Sequence, residues 1–312
     1  MSGMLKEFRY AFRGLARSPG FTVIAVVTLA LGIGANTAVF TLVDGVLLRP
    51  LPYPAPEELV SIRHEGRGGE DQLPMSPGLY LVYEEHARSV EAIALYQQTV
   101  ANFVGEDGEA ERVDGMAVTP SLFEVLRAPP ALGRMLVDSD AELGADPVVV
   151  LSHALWSSRF GRAPDVVGTT VLMDGVSRQV VGVMPEDFVH PTPDTRLWIP
   201  LVVDPATAPL AAFGPAAIAR LAEGATVETA RSEVAGLIER LGELRPAAAP
   251  QVAFLQEVEL ASIVAPLKEA TVGDVARTLW TLLGMVGFVL LIACANVANL
   301  LLVRAEGRQR EL

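Results

Sequence analysis

The chain has 312 residues, 51% of them hydrophobic and 20% charged, with a formal net charge of −13. That balance excludes an intrinsically disordered chain, and the excess of acid argues against nucleic acid and against a domain lying on anionic lipid. Its one cysteine, Cys294, excludes a disulfide framework, so any folded part rests on its own core.

Near the N-terminus, Leu5, Phe8, Phe12 and Leu15 fall on one helical face, and Lys6, Arg9, Arg13 and Arg17 on a neighbouring one. Basic beside aromatic-apolar is the pattern of a helix lying in the cytoplasmic interface, expected within residues 1–20 and broken by Pro19-Gly20. Two uncharged stretches follow, Ser18 to Val43 and Thr278 to Val303, each 26 residues long. About 20 apolar residues span the hydrocarbon core, so both predict transmembrane helices, over 21–43 and 278–303. The first lacks a small-x-small cleavage pattern at its end, which favours an uncleaved span over a signal peptide.

From Asp44 to Arg277 the chain carries 34 acidic against 17 basic residues, a net of −17, whereas the residues outside that stretch carry a net of +4. Basic residues flank the outer ends of both stretches, which predicts both termini in the cytoplasm and residues 44–277 outside it; the chain is expected in the plasma (inner) membrane. Residues 304–312 then begin a cytoplasmic segment.

After Asp44, where the first span is expected to end, Pro50, Pro52, Pro54 and Pro56 alternate. Proline fixes φ and favours extended neighbours, predicting a stiff stalk. The outer part reads as mixed α and β. Val148 to Leu151 is a buried-strand candidate. Asp174-Gly175 between Val171–Met173 and Val176–Met184 predicts a type I′ hairpin. Ser76 to Glu91 and Ala154 to Phe160 read as helices. The strongest helix runs from Val227 to Leu244, with Thr226 as its N-cap and Pro246 just beyond. Glu65 to Gln72 and Asp204 to Pro209 read as connectors.

No GxxxxGK[ST] phosphate loop is present, so the chain does not itself cradle ATP. His64, His86, His153 and His190 are scattered, with no HExxH pattern, and no metal or other cofactor is expected. Ser152-His153 invites a nucleophile–base reading, but adjacent strand residues point to opposite faces, and a surface or turn histidine is the better account. Glu57-Glu58, Glu84-Glu85 and the cluster Glu106, Asp107, Glu109 and Glu111 read as solvated charge runs. No catalytic site is expected, and the chain is read as a non-enzyme. Within the spans, Asn36, Thr37, Asn296 and Asn299 predict interhelical hydrogen bonds rather than a substrate path. Gly32, Gly34 and Ala35 would admit a close neighbour.

Several segments, taken in order, resemble one family. Phe8 to Leu15 followed by Ser18-Pro19-Gly20-Phe21-Thr22, and Ala30 to Phe40 leading to Leu47-Leu48-Arg49-Pro50-Leu51-Pro52-Tyr53, are similar to the start of MacB/FtsX-type ABC transporter permeases. Ala131-Leu132-Gly133-Arg134, Val148 to Trp156, Arg159-Phe160-Gly161, Val167-Gly168, Leu172 to Gly175 and Val180 to Pro185 continue the likeness, and Leu291 to Leu301 completes it. Within that group the chain looks most like the acidobacterial-type duplicated orphan permeases (ADOP).

The resemblance implies an α+β extracytoplasmic domain of the MacB kind: a porter-like part plus a β-rich lobe inserted over roughly residues 117 to 205, set between two transmembrane helices. It also implies a homodimer or pseudo-dimer of permeases and ATP-driven motion passed to the outer domain for export, efflux or other envelope work. With no fused nucleotide-binding domain, the ATPase is expected as a separate cytosolic subunit. Because Arg308 to Leu312 resembles the first residues of a longer cytoplasmic segment, the chain is expected to be an N-terminal fragment or a truncated product. The alternatives are a membrane-anchored sensing module working without an ATPase, and a non-functional remnant.

Overall fold

The structure is a computed structural model that describes residues 19–67, 72–104 and 110–309. The expected interfacial helix over residues 4–17 and the acids Glu106, Asp107 and Glu109 lie outside the described residues. The chain divides into two compact units, one of Met1–Pro50 with Val272–Leu312 and one of Leu51–Thr271.

The first unit holds α1 (Pro19–Val43), whose helical path continues as a wider turn through Asp44–Leu48. The helical path thus runs one turn past Asp44. The Asp44 carboxylate accepts from Arg49 Nε at 3.2 Å, so the charge does not stop the helix. Thr22–Leu48 and Val275–Asn299 are each long and apolar enough to cross a membrane. Ile24, Leu31, Phe40, Phe288 and Leu291 on these segments are exposed. A continuous run of such side chains along a helix this long suits contact with lipid or another protein.

In the second unit the described strands form one mixed sheet. They are β1 (Leu59–Glu65), β2 (Gln72–Leu73), β3 (Val90–Val104), β4 (Ala110–Val118), β5 (Leu132–Gly133), β6 (Val148–Leu151), β7 (Thr170–Met173), β8 (Val176–Val183), β9 (Leu197–Pro200), β10 (Ala216–Leu221) and β11 (Ala261–Pro266). The order across the sheet is β11-β1-β10-β3-β4-β9-β6-β8-β5, with β2 on β1 and β7 bridging β3 and β8. The strands of the expected lobe, β5 to β9, fall within residues 117–205. They continue the same sheet, because β9 pairs in parallel with β4 and β7 pairs with the far end of β3.

The hairpin forms as the Asp-Gly pair dictates, with Asp174 at φ 51° and Gly175 at φ 78°, and Asp174 Oδ1 also accepts from the Asn102 amide at 3.0 Å. The helix begun at Ser76 is α2 (Pro77–His86), capped by Ser76 and ending at His86 rather than Glu91. From Val90 on, the residues are taken by β3, whose pairing with β4 and β10 outweighs helix propensity. Next come α3 (Leu122–Leu126) and α4 (His153–Phe160).

The long helix expected over 227–244 is α5 (Val227–Glu239) and α6 (Leu241–Leu244), broken at Arg240. Thr226 and Thr229 cap α5 reciprocally, and Ala230, Val234, Leu237 and Leu241 are buried. Finally α7 (Ala249–Glu257) precedes β11, and α8 (Leu267–Gln309) follows it without an intervening loop.

Alternation along the strands builds two faces. Val60 and Ile62, Ile93 and Leu95, and Ala217, Ala219 and Leu221 point to one side, under α2, α5, α6 and α7. Leu59, Ala94 and Ile218 point to the other, where they meet Met116, Val118, α3 and the indole of Trp198. A third core fills the lobe around Val149, Leu155, Val171 and Leu197.

Candidate functional site

The expected places for chemistry resolve into structural roles. Ser152 is the N-cap of α4, its Oγ accepting from the Leu155 amide at 3.1 Å, and His153 is the first helical residue, ring-to-edge with Trp156. The strand geometry expected of that pair is thus replaced by a helix start, with Ser152 occupied by capping. Among the described residues no group of three or more His, Cys, Asp or Glu side chains is arranged to hold a metal.

Within the helical unit, Asn36 Nδ2 donates to Val286 O at 3.1 Å and to Gly32 O of its own helix at 3.0 Å. A Cβ on Gly32 would come within 2.9 Å of Leu290 Cδ1, so that glycine permits the close approach. Gly34 has nothing within 4 Å and Ala35 is exposed, so neither contributes to it. Thr37 bonds back to Ile33 O of its own helix, and the exposed Asn296 and Asn299 meet no partner among the described residues.

Three acids read as solvated instead hold specific partners. Glu111 takes Arg159 and Arg196, and the Arg159 hydrogen bond keeps its carboxyl below the ordinary range. Glu84 accepts from the Tyr80 hydroxyl at 2.5 Å, and burial raises its pKa. Glu58 Oε2 lies 2.9 Å from Nη1 of Arg220, whose side chain is 0% exposed.

Arg220 organises the start of the second unit. Its Nε donates to Val125 O at 2.8 Å, Nη1 to Ala55 O at 3.2 Å as well as to Glu58, and Nη2 to Pro54 O at 3.1 Å. Two of those acceptors lie in the proline stalk and one in α3, so a single buried cation ties the stalk to the sheet. An unpaired buried guanidinium costs several kcal/mol, which fixes the position of its acceptors. The stalk is accordingly bent rather than extended throughout. Ala55 turns left-handed at φ 46° and Pro56–Glu58 forms a 3-10 turn, aiming both carbonyls at Arg220. Tyr53 completes the attachment, its hydroxyl donating to Val189 O at 2.5 Å while burial pushes its phenol above the usual range.

The other attachment is β11. In the antiparallel pair of β1 and β11, Val60 stands opposite Pro266, so β1 begins where β11 ends. Residues so opposed have Cα atoms about 5 Å apart. Both polypeptide connections of the unit therefore leave from one end of two hydrogen-bonded neighbours. Neither Arg220 nor the strand partnership is expected from the sequence. The signal available is a lone charge inside the buried run Ala216 to Leu221, which has to be paired to be tolerated.

The family model for the MacB-like periplasmic core domain matches residues 22–237. The chain belongs to that family. Among solved structures the MacB-like unit is similar to the periplasmic region of MacB from Actinobacillus actinomycetemcomitans, at 12% identity and a TM-score of 0.49, covering 76% of this chain and 97% of that one. It is also similar to a domain described as that of a permease from Porphyromonas gingivalis, at 18% identity and a TM-score of 0.49, covering 69% and 92%. A third is the extracellular domain of the noncanonic ABC-type transporter YknZ from Gram-positive bacteria, at 12% identity and a TM-score of 0.42, covering 60% and 95%. Comparison with curated protein sequences returns no significant match.

Proposed function

We propose that this chain is the permease part of a MacB/FtsX-type ABC transporter in the inner membrane, in the ADOP group. Both termini lie in the cytoplasm and residues 44–277 outside it, between spans at 21–43 and 278–303. It passes motion driven by a separate cytosolic ATPase to its outer domain, as a homodimer or pseudo-dimer of permeases, for export or other envelope work. Its task is mechanical: no step of bond chemistry is assigned to it.

The observation that carries the reading is the double attachment at one end of β1 and β11. Displacement of either connection loads a hydrogen-bonded strand pair directly, and Arg220 removes slack from the stalk before β1 begins. Membership of the MacB-like family supports the same assignment.

The test is isolation of the tagged protein from its native membrane after mild crosslinking. A partner carrying a GxxxxGK[ST] loop, whose ATP hydrolysis rises several-fold with the native chain and not with Arg220→Met, is the expected result. A complex without any nucleotide-binding partner would sink the proposal and leave the anchored sensing module.

A further inference from the structure

The face of the sheet that carries Arg220 is not closed along its whole length. On β1 it presents Leu59, Ser61 and Arg63 in turn, since alternate residues share a face. Leu59 is sealed in the core with Met116, Val118 and Ile218. Beside Ser61 and Arg63 the packing stops and a cavity of about 520 Å³ opens. That volume lies within the range of sites for small molecules. All of its lining residues belong to the single compact unit 51–271.

Most of the wall is apolar, from Leu51, Val189, Ala216 and Leu267. Of its polar groups, Tyr53 and Thr271 donate to Val189 O and Leu267 O, but Arg63, Ser61 and Tyr96 are donors without acceptors among the described residues. The half-buried Arg63 guanidinium has no carboxylate within 4.0 Å and no side-chain hydrogen bond among the described residues, unlike Arg220 on the same face. Neither the Ser61 hydroxyl nor the half-buried phenol of Tyr96 has a hydrogen-bond partner there; burial raises the Tyr96 pKa, and the Arg63 charge works against that rise. His190, 5% exposed and edge-on to Tyr96 at 4.9 Å, has a buried Nε2 with no partner. Burial lowers its pKa to about 4, so the ring is neutral at pH 7.

The buried, unpartnered His190 Nε2 is costly, and together with the solvent-reached donors of Arg63, Tyr96 and Ser61 it marks a place that a ligand or ordered water completes. The missing complement is an acceptor carrying negative charge, attached to an apolar body. The stretch from Asp44 to Arg277 has a net charge of −17, which disfavours diffuse binding of anions, so the attraction here is local to Arg63.

We propose that this cavity binds a monocarboxylate amphiphile of the fatty-acid class, its carboxylate on Arg63 with Tyr96 and Ser61, and its apolar chain along Leu51, Ala216 and Leu267. The site goes beyond the transporter reading and stands whether or not the chain works with an ATPase.

The experiment is titration calorimetry of the full chain in zwitterionic phosphatidylcholine nanodiscs, with empty nanodiscs subtracted, using octanoate, octanol and octyltrimethylammonium. Octanoate should bind saturably and at least tenfold more tightly than either of the others. Arg63→Gln should weaken octanoate at least tenfold and leave octanol unchanged, with the circular dichroism spectrum intact. Ala216→Phe, which fills the cavity, should abolish octanoate binding. No heat above empty nanodiscs, equal affinity for octanoate and octanol, tighter binding of octyltrimethylammonium, or a folded Arg63→Gln that binds as before would each overturn the assignment. The ligand comparison on the native chain decides the matter even if a variant fails to fold. An ATPase partner found in native membranes, with no octanoate binding, would leave the transporter reading standing alone.

Discussion

The two faces of β1 are built from the same strand and serve opposite ends. Val60, Ile62 and His64 point into a closed core in which His64 is satisfied, its ring bonding the Tyr83 hydroxyl at 2.8 Å. Leu59, Ser61 and Arg63 begin in an equally closed core and finish beside a cavity where Ser61, Arg63 and Tyr96 have no partner among the described residues. One face holds the unit together; the other fastens the stalk at Arg220 and then leaves space. Close packing and an unfilled site coexist because adjacent strand residues report to different layers.

The largest effect expected from disturbing this contrast is at the fastening itself. Arg220→Ala takes the donor from three carbonyls and leaves the Glu58 carboxylate to Arg127 alone, and should cost roughly 3 kcal/mol. The check is the opening free energy of β1 and β10 amides by hydrogen exchange, and a loss below that of a surface arginine would break the comparison. On the closed face, Ile62→Ala should cost about 3 kcal/mol, because the α2, α5 and α6 cover cannot collapse into the space left.

Acid should act next. His64 and His190 have folded pKa values of about 4, below the ordinary 6.5, so the unfolded chain takes up protons first. Stability is therefore full above pH 6.5 and falls as the pH drops toward 4, by about 2 kcal/mol per histidine at pH 5. His190→Phe should halve that slope, as read from the difference in opening free energy between pH 7 and pH 5. Equal slopes in variant and native chain would mean that His190 is not sealed.

Smaller still, Thr226→Ala removes a reciprocal cap from α5 and should cost about 1 kcal/mol, visible as faster exchange on the closed face only. Ser61→Val should be the mildest, within about 0.5 kcal/mol, since its hydroxyl has no partner to lose. A cost near that of Ile62→Ala would show the two faces to be packed alike.

Several elements are legible in the amino-acid sequence because their causes are local. Asp174-Gly175 supplies the positive φ pair of a hairpin wherever it falls between strand-forming residues. Thr226 caps, and Val148 to Leu151 is β-branched and buried. The family likeness in those segments agrees with the MacB-like model match. The mixed α and β character follows from the same cues. What misleads is local signal overruled from a distance. Residues 87–91 continue a helical pattern yet are drawn toward β3, and Ala55 leaves the extended stalk because Arg220, 165 positions away, needs its carbonyl.

The sequence by itself determined two helices built on long uncharged stretches, an acidic part of mixed α and β between them, and the turns and caps that depend on neighbours within a few residues. Only the tertiary structure decided that β1 and β11 are partners, that Arg220 holds the stalk, that Gly32 and not Gly34 seats a neighbouring helix, and that Arg63 is left beside a cavity. The reason is physical: propensity and hydropathy act over a turn or a strand. The pairing of buried charges and the closing of a sheet depend on residues that meet only after the chain has folded.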